Sequence, residues 1–116
     1  MESRDNPVVR ISFQFALDIV VFTEILQERK KFRLADQLFS SGTSIGANVR
    51  EAQGCESRAD FIHKLKTAYK EAEETKYWLE ICEQSEGYPK PEKLLDDIIV
   101  ILKLLGKIIA SSRRRK

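Results

Sequence analysis

Proline and glycine are scarce in this chain, three and five residues in 116. So few turn formers argue against an all-β domain, which needs many tight connections. Histidine occurs once, as His63, and the two cysteines, Cys55 and Cys82, form no CxxC pair. That set is too small for a zinc site, and one histidine excludes the paired Glu-x-x-His motifs of a di-iron bundle. Long hydrophobic runs are missing too. The stretch from Leu94 to Ile109 is interrupted by Asp96, Asp97, Lys103 and Lys107 and is too short to span a bilayer. The opening residues, Met1-Glu-Ser-Arg-Asp-Asn-Pro7, lack the charged-then-apolar pattern of a secretory leader. The expectation is a soluble, cytoplasmic protein with no membrane partner.

What is abundant is the material of helices. Hydrophobic residues make up 42% and charged residues 33%, so one hydrophobic core under a charged coat accounts for the whole chain, residues 1–116. The net charge of +2 is unevenly placed, because the last four residues, Arg113, Arg114, Arg115 and Lys116, are all basic. Removing them leaves 16 Lys and Arg against 18 Asp and Glu, a net charge of −2. A protein that tracks phosphates with its entire surface would be more basic than that. Any nucleic-acid affinity belongs to the tail or to a patch made by assembly.

Periodicity predicts four helices, over about residues 7–29, 33–53, 58–84 and 91–111. The first begins at Asn6 as N-cap with Pro7 in the first helical position. Its apolar residues, Phe13, Val9, Ala16 and Val20 among them, spread over roughly 200°, wider than one core face requires. The second contains Ser40-Ser-Gly-Thr-Ser-Ile-Gly-Ala-Asn48, a run of poor helix formers. Leu34, Leu38, Ile45, Val49 and Ala52 nevertheless keep helical spacing across it, and Gly54 stands as the C′ residue. Gly42 and Gly46, four apart, open a groove for close approach of a neighbouring backbone. The third helix opens on the capping pattern Ser57-x-x-Asp60. Phe61, Leu65, Ala68, Ala72, Thr75, Leu79 and Cys82 then alternate spacings of four and three, the seam of a closely aligned helix pair. In the fourth, Leu94, Leu95, Ile98, Ile99, Ile101, Leu102, Leu105, Ile108 and Ile109 share an arc of about 180°. Four long helices with short connections predict an all-α, up-down-up-down antiparallel four-helix bundle.

The stretch Gln37-Leu38-Phe39-Ser40-Ser41-Gly42-Thr43-Ser44-Ile45-Gly46-Ala47-Asn48-Val49-Arg50-Glu51 resembles the central helix of the four-helix-bundle proteins encoded by intervening sequences in bacterial large-subunit ribosomal RNA genes. Gly54, Ser57, Asp60, Phe61, Ala68 and Glu71 continue the pattern, and the resemblance covers about residues 8–110. Two departures are Glu51-Ala-Gln-Gly54, where the family more often has Glu directly before Gly, and Ser41-Gly42, where it often has Arg-Ala. The resemblance implies a homo-oligomer, typically a pentamer, without catalytic activity or cofactor. A related branch, the accessory variability determinants of diversity-generating retroelements, forms a basic pentameric barrel that binds nucleic acid and a reverse transcriptase. RNA, DNA or such an enzyme is the partner this implies here, in the role of an assembly scaffold.

Three sets of residues stand out for function. Ser44, Asn48 and Glu51, at i, i+4 and i+7, share a face of the second helix. An interhelical hydrogen-bond network that fixes register is the expectation, a polar ligand site the alternative. Leu17, Val21 and Ile25, with Val100 and Leu104, and Tyr77, Trp78 and Ile81 all fall outside the core arcs, and their helical spacing predicts an oligomer interface. Arg113, Arg114, Arg115 and Lys116 offer contacts to phosphate, or else form a solvated terminus that complements the helix dipole. Nucleophilic catalysis lacks a base, since His63 stands alone and there is no Gly-x-Ser-x-Gly elbow. No small-molecule substrate, metal or cofactor is expected. The competing class is a protein–protein adaptor with no nucleic-acid role.

Overall fold

The computed structural model describes residues 6–114. They form α1 (Pro7–Glu28), α2 (Phe32–Ala52), α3 (Arg58–Gln84) and α4 (Glu92–Arg114). Each helix packs on its neighbours in sequence, and α4 closes onto α1 through the sparsest of the four seams. The result is the expected four-helix bundle, 50 Å long and 21 Å across.

The core seams follow the sequence spacing. On α3, Leu65, Ala68, Ala72, Thr75, Leu79 and Cys82 are all buried, with Phe61 half-buried at the start. α1 buries Val8, Ser12, Phe15, Ile19, Phe22 and Leu26, the centre line of its wide apolar arc, and α4 buries Leu94, Ile98, Ile101, Leu105 and Ile109. The margins of both arcs spill outward. Phe13 and Ile99, expected in the core, are 48% and 41% exposed, because each lies beyond the sector its two neighbouring helices can cover.

α2 stays helical through its poor helix formers for two reasons. Thr43, Ser44 and Asn48 donate to the carbonyls of Phe39, Ser40 and Ser44, at 2.7, 2.6 and 2.9 Å, which satisfies their polar atoms within the helix. Small residues also let α1 come close. A Cβ on Gly46 would sit 3.2 Å from the Ser12 carbonyl oxygen, and one on Gly42 would sit 2.8 Å from Ile19 Cγ1. The predicted close approach is thus backbone at Gly46 and a core side chain at Gly42. Across the α2–α3 seam, the buried Ser41 and Thr75 hydroxyls lie 2.9 Å apart. Thr75 donates its one proton to the Glu71 carbonyl at 2.7 Å, so Ser41 supplies the proton of the pair.

The ends follow their capping chemistry with two corrections. Ser57 accepts from the Asp60 N–H at 3.1 Å, as its pattern predicts. Asn6 is the N-cap of α1 by backbone alone; its side-chain amide donates instead to Gln53 Oε1 at 3.1 Å. Gly54 stands at C′ of α2, yet the left-handed conformation occurs elsewhere, at Gly87 and at Lys30 (φ 64°). Lys30 ends α1 in a Schellman motif, with Lys31 N–H donating to the Leu26 carbonyl and Lys30 N–H to that of Gln27. The Lys31 ammonium sits 4.6 Å from the centre of the Tyr88 ring, tying the α1–α2 turn to the α3–α4 connection at one end of the bundle.

Candidate functional surfaces

The polar trio on α2 divides. Ser44 and Asn48 direct their hydrogen bonds into their own helix and form no interhelical network. Both flank the seam rather than enter it, where the hydroxyl of Ser41, not theirs, meets α3. Glu51 does cross, its Oε1 lying 2.7 Å from Lys64 Nζ of α3. That pair is largely exposed and raises the Lys64 pKa through its hydrogen bond and charge. The buried interhelical contact, Ser41 with Thr75, was legible only as a threonine inside an otherwise apolar heptad seam.

The apolar outliers divide as well. Leu17, Val21, Ile25, Tyr77 and Val100 are exposed. Trp78 and Leu104 are half-buried against the core, and Ile81 is half-buried. Trp78 is further fixed by donating to Glu74 Oε2 at 3.1 Å and by an edge-on contact with Tyr77. Phe13, Phe32, Phe39 and Ile99 add to the exposed set and were not anticipated. With Phe13, the outward rib of α1 becomes four residues at intervals of four: 13, 17, 21 and 25. Phe13 also borders a shallow groove between α1 and α2, with Val9, Ala16, Thr43 and Ala47, where the Arg50 guanidinium lies 5.1 Å from the ring centre.

The basic terminus is not a detached tail. α4 remains helical three residues beyond the expected end, so Arg113 and Arg114 project from its last turn; Arg115 and Lys116 lie outside the described residues. One turn's geometry sends the two arginines to different grooves. Arg113 joins Lys66, Tyr69, Lys70, Gly106, Ile109 and Ala110 between α3 and α4, around about 370 Å³. Arg114 joins Phe61, Leu104, Lys107 and Ser111. Charge is also segregated along this hairpin. Past Asp97, α4 carries Lys103, Lys107, Arg113 and Arg114 and no carboxylate through residue 114, whereas the carboxylates of α3 after Asp60 begin at Glu71.

Titratable chemistry is sparse. Burial raises the Glu71 carboxyl above its ordinary value, helped by the charge of Glu74 and opposed by Lys70. Burial also pushes the Cys82 thiol up to about 11, against the pull of Lys90 and Arg29, while its Sγ lies 3.1 Å from the Pro89 carbonyl. His63 is exposed. Among the described residues, no three His, Cys, Asp or Glu side chains gather as metal ligands, and no helix is long and apolar enough to cross a membrane.

Comparison with known proteins agrees with this architecture. Residues 4–110 match the model of the 23S rRNA-intervening sequence protein family. A crystal structure of a protein of unknown function from the S23 ribosomal protein family of Bacteroides thetaiotaomicron VPI-5482 is similar, with 46% identity and a TM-score of 0.83. The match covers 88% of this chain and 97% of that one. No protein of curated function matches. Family match and shared fold together lead to one conclusion: the chain belongs to the 23S rRNA-intervening sequence protein family.

Proposed function

We propose that this protein is a non-enzymatic assembly scaffold whose copies associate into a closed ring, a pentamer, that holds nucleic acid or a nucleic-acid enzyme. The observation that carries the reading is the outward rib of α1, where Phe13, Leu17, Val21 and Ile25 stand 48%, 45%, 58% and 37% exposed on one helix face. Covering such half-wet side chains is worth roughly 1 kcal/mol each, so the rib supplies several kcal/mol per subunit contact. Tyr77, exposed on α3, gives the rib a different surface to meet, as a head-to-tail ring needs. The ribosomal RNA setting in the family's description and the cationic end of α4 support the nucleic-acid part.

Light scattering across a range of protomer concentrations tests the assembly. The mass should be that of an oligomer, and Leu17→Lys with Val21→Glu should yield a monomer of unchanged helix content. A wild-type chain that stays monomeric at every concentration refutes the scaffold. The protein-only adaptor is the second reading, favoured by the net charge of −2 that remains without the terminal basic run. Absence of strand binding at low salt, with the oligomer intact, would select it.

A further inference from the structure

We propose that the groove between α3 and α4 binds the sugar–phosphate backbone of a nucleic-acid strand, with Lys66, Lys70 and Arg113 at its rim and Gly106 keeping its floor open. This rests on the nucleic-acid part of the scaffold reading and gives it a site that takes only Arg113 from the terminal run.

Two independent features converge there. The first is unspent charge. Lys64, Lys76 and Lys93 each pair with a carboxylate, but among the described residues Lys66, Lys70 and Arg113 form no salt bridge. Glu71, Glu73 and Glu74 follow within a turn of Lys70, whose charge opposes the rise of the Glu71 pKa, yet none of the three comes within 4.0 Å of its ammonium. No carboxylate lines the groove. Arg113 sits in the last turn of α4, where the negative end of the helix dipole favours a cation, but Lys66 and Lys70 come from the middle of α3 and gain nothing from their own helix's dipole. Three cations converging on one cleft favour an anion with repeated charges.

The second is a glycine without a packing reason. Gly106 lies inside α4, where glycine weakens a helix relative to alanine. At Gly42 a Cβ would collide with Ile19 of α1 and at Gly46 it would press on the Ser12 carbonyl at 3.2 Å, but at Gly106 it would meet only Tyr69 Cε2, at an ordinary 3.7 Å. Packing would accept alanine there. The missing side chain instead leaves the backbone of α4 and the edge of the Tyr69 ring open to whatever enters between the cations, the use of glycine where a ligand approaches closely. The half-buried Tyr69 ring supplies an apolar wall for a sugar or base beside the phosphates.

The test is fluorescence anisotropy of the full chain with a labelled single strand of about 20 nucleotides, between about 50 and 200 mM salt. Three phosphate contacts to a single strand contribute a log–log slope of about −2, or roughly a 20-fold loss of affinity over that range. The variant K66Q/K70Q/R113Q should lack that share of the salt dependence. Gly106→Leu keeps every charge, so it should weaken binding about tenfold or more while the melting temperature stays at or above that of the wild type. If both variants bind like the wild type, and only neutralising Arg114, Arg115 and Lys116 removes binding, the groove is not the site, although nucleic-acid binding stands. If the wild type binds no strand at low salt, this proposal and the nucleic-acid part of the scaffold reading fall together. Displacement of the strand by inorganic phosphate at about the same phosphate concentration would reduce the groove to a free-phosphate site and overturn the strand assignment. A change in solution mass of K66Q/K70Q/R113Q with strand affinity intact would give the groove to the acidic half of a second copy, and would also overturn it.

Discussion

Gly42→Ala separates two opposed effects that the structure places at one atom. Alanine in a helix interior gains about 1 kcal/mol over glycine. Against that, the new methyl would lie 2.8, 3.0 and 3.1 Å from Cγ1, Cδ1 and Cγ2 of Ile19. Three atoms of one β-branched side chain cannot all retreat, since Ile19 is wholly buried and its χ1 is stiff. Overpacking of this kind costs about 1–3 kcal/mol, so the net effect is a loss of about 1 kcal/mol. For a domain of this size that lowers the melting temperature by about 4 °C. Ile19→Ala removes the obstruction at a cost of about 2–5 kcal/mol. In that background Gly42→Ala should change sign, raising the melting temperature by about 4 °C, because the helix gain remains and the methyl refills part of the cavity. Thermal melts of all four proteins at one protomer concentration complete the cycle, with an expected coupling of about 2 kcal/mol. Equal shifts in both backgrounds would refute the close approach of α2 to Ile19.

Lys30, left-handed at C′ of α1, should be improved by glycine. Lys30→Gly should stabilise by about 0.5–1 kcal/mol after the loss of a favourable charge at the helix end, whereas Lys30→Val should destabilise; denaturant melts at constant slope give both signs. The Cys82 thiol, raised by burial to about 11, favours the protonated folded state. Its contribution is therefore complete below the unfolded value near 9 and is lost as pH rises from about 9 toward 11. Stability of the wild type should fall more steeply over that window than that of Cys82→Ala, and at neutral pH a thiol reagent should modify the half-exposed Cys55 well before Cys82.

The features legible in the sequence were those set by spacing within one helix. Leu65 through Cys82 could be placed on a seam because alternate steps of four and three return to one line whatever the partner. The helix through Ser40–Asn48 could be read past its poor propensity because Leu38, Ile45 and Val49 hold their phase on either side. Features that depend on a second helix were not legible. Phe13 and Phe15 are equivalent in propensity and differ only in whether α2 and α4 cover them. Ser41 rather than Ser44 meets Thr75, because rotation of α2 against α3 is fixed by packing along the whole seam. Lys66 and Arg113 share a groove through the register of α3 on α4, which the connection at residues 85–91 leaves open. The apolar periodicity of α4 runs out near residue 111, but the helix runs on to Arg114 and aims the two arginines apart.

The distribution of packing also bears on why the exposed rib lies where it does. α2 and α3 are each well covered on both sides, whereas α1 and α4 meet along the sparsest seam. Their mutual ties include the exposed contact of Lys93 with Asp18 at 3.5 Å, an ammonium that Asp97 of its own helix holds more closely at 2.7 Å, and such ion pairs contribute little in water. The groove between α1 and α4 is rimmed by Gln14, Asp18 and Val100, with Phe15 and Ile101 buried beneath them. The side of the bundle least secured by its own core is therefore the side whose helices carry Leu17, Val21, Ile25 and Val100 bare. A neighbouring subunit laid over those residues would bury apolar surface and clamp α1 to α4 with the same contact. In that arrangement association and folding draw on one set of side chains, and the apolar margins of α1 serve as the outer half of a core completed by a second copy.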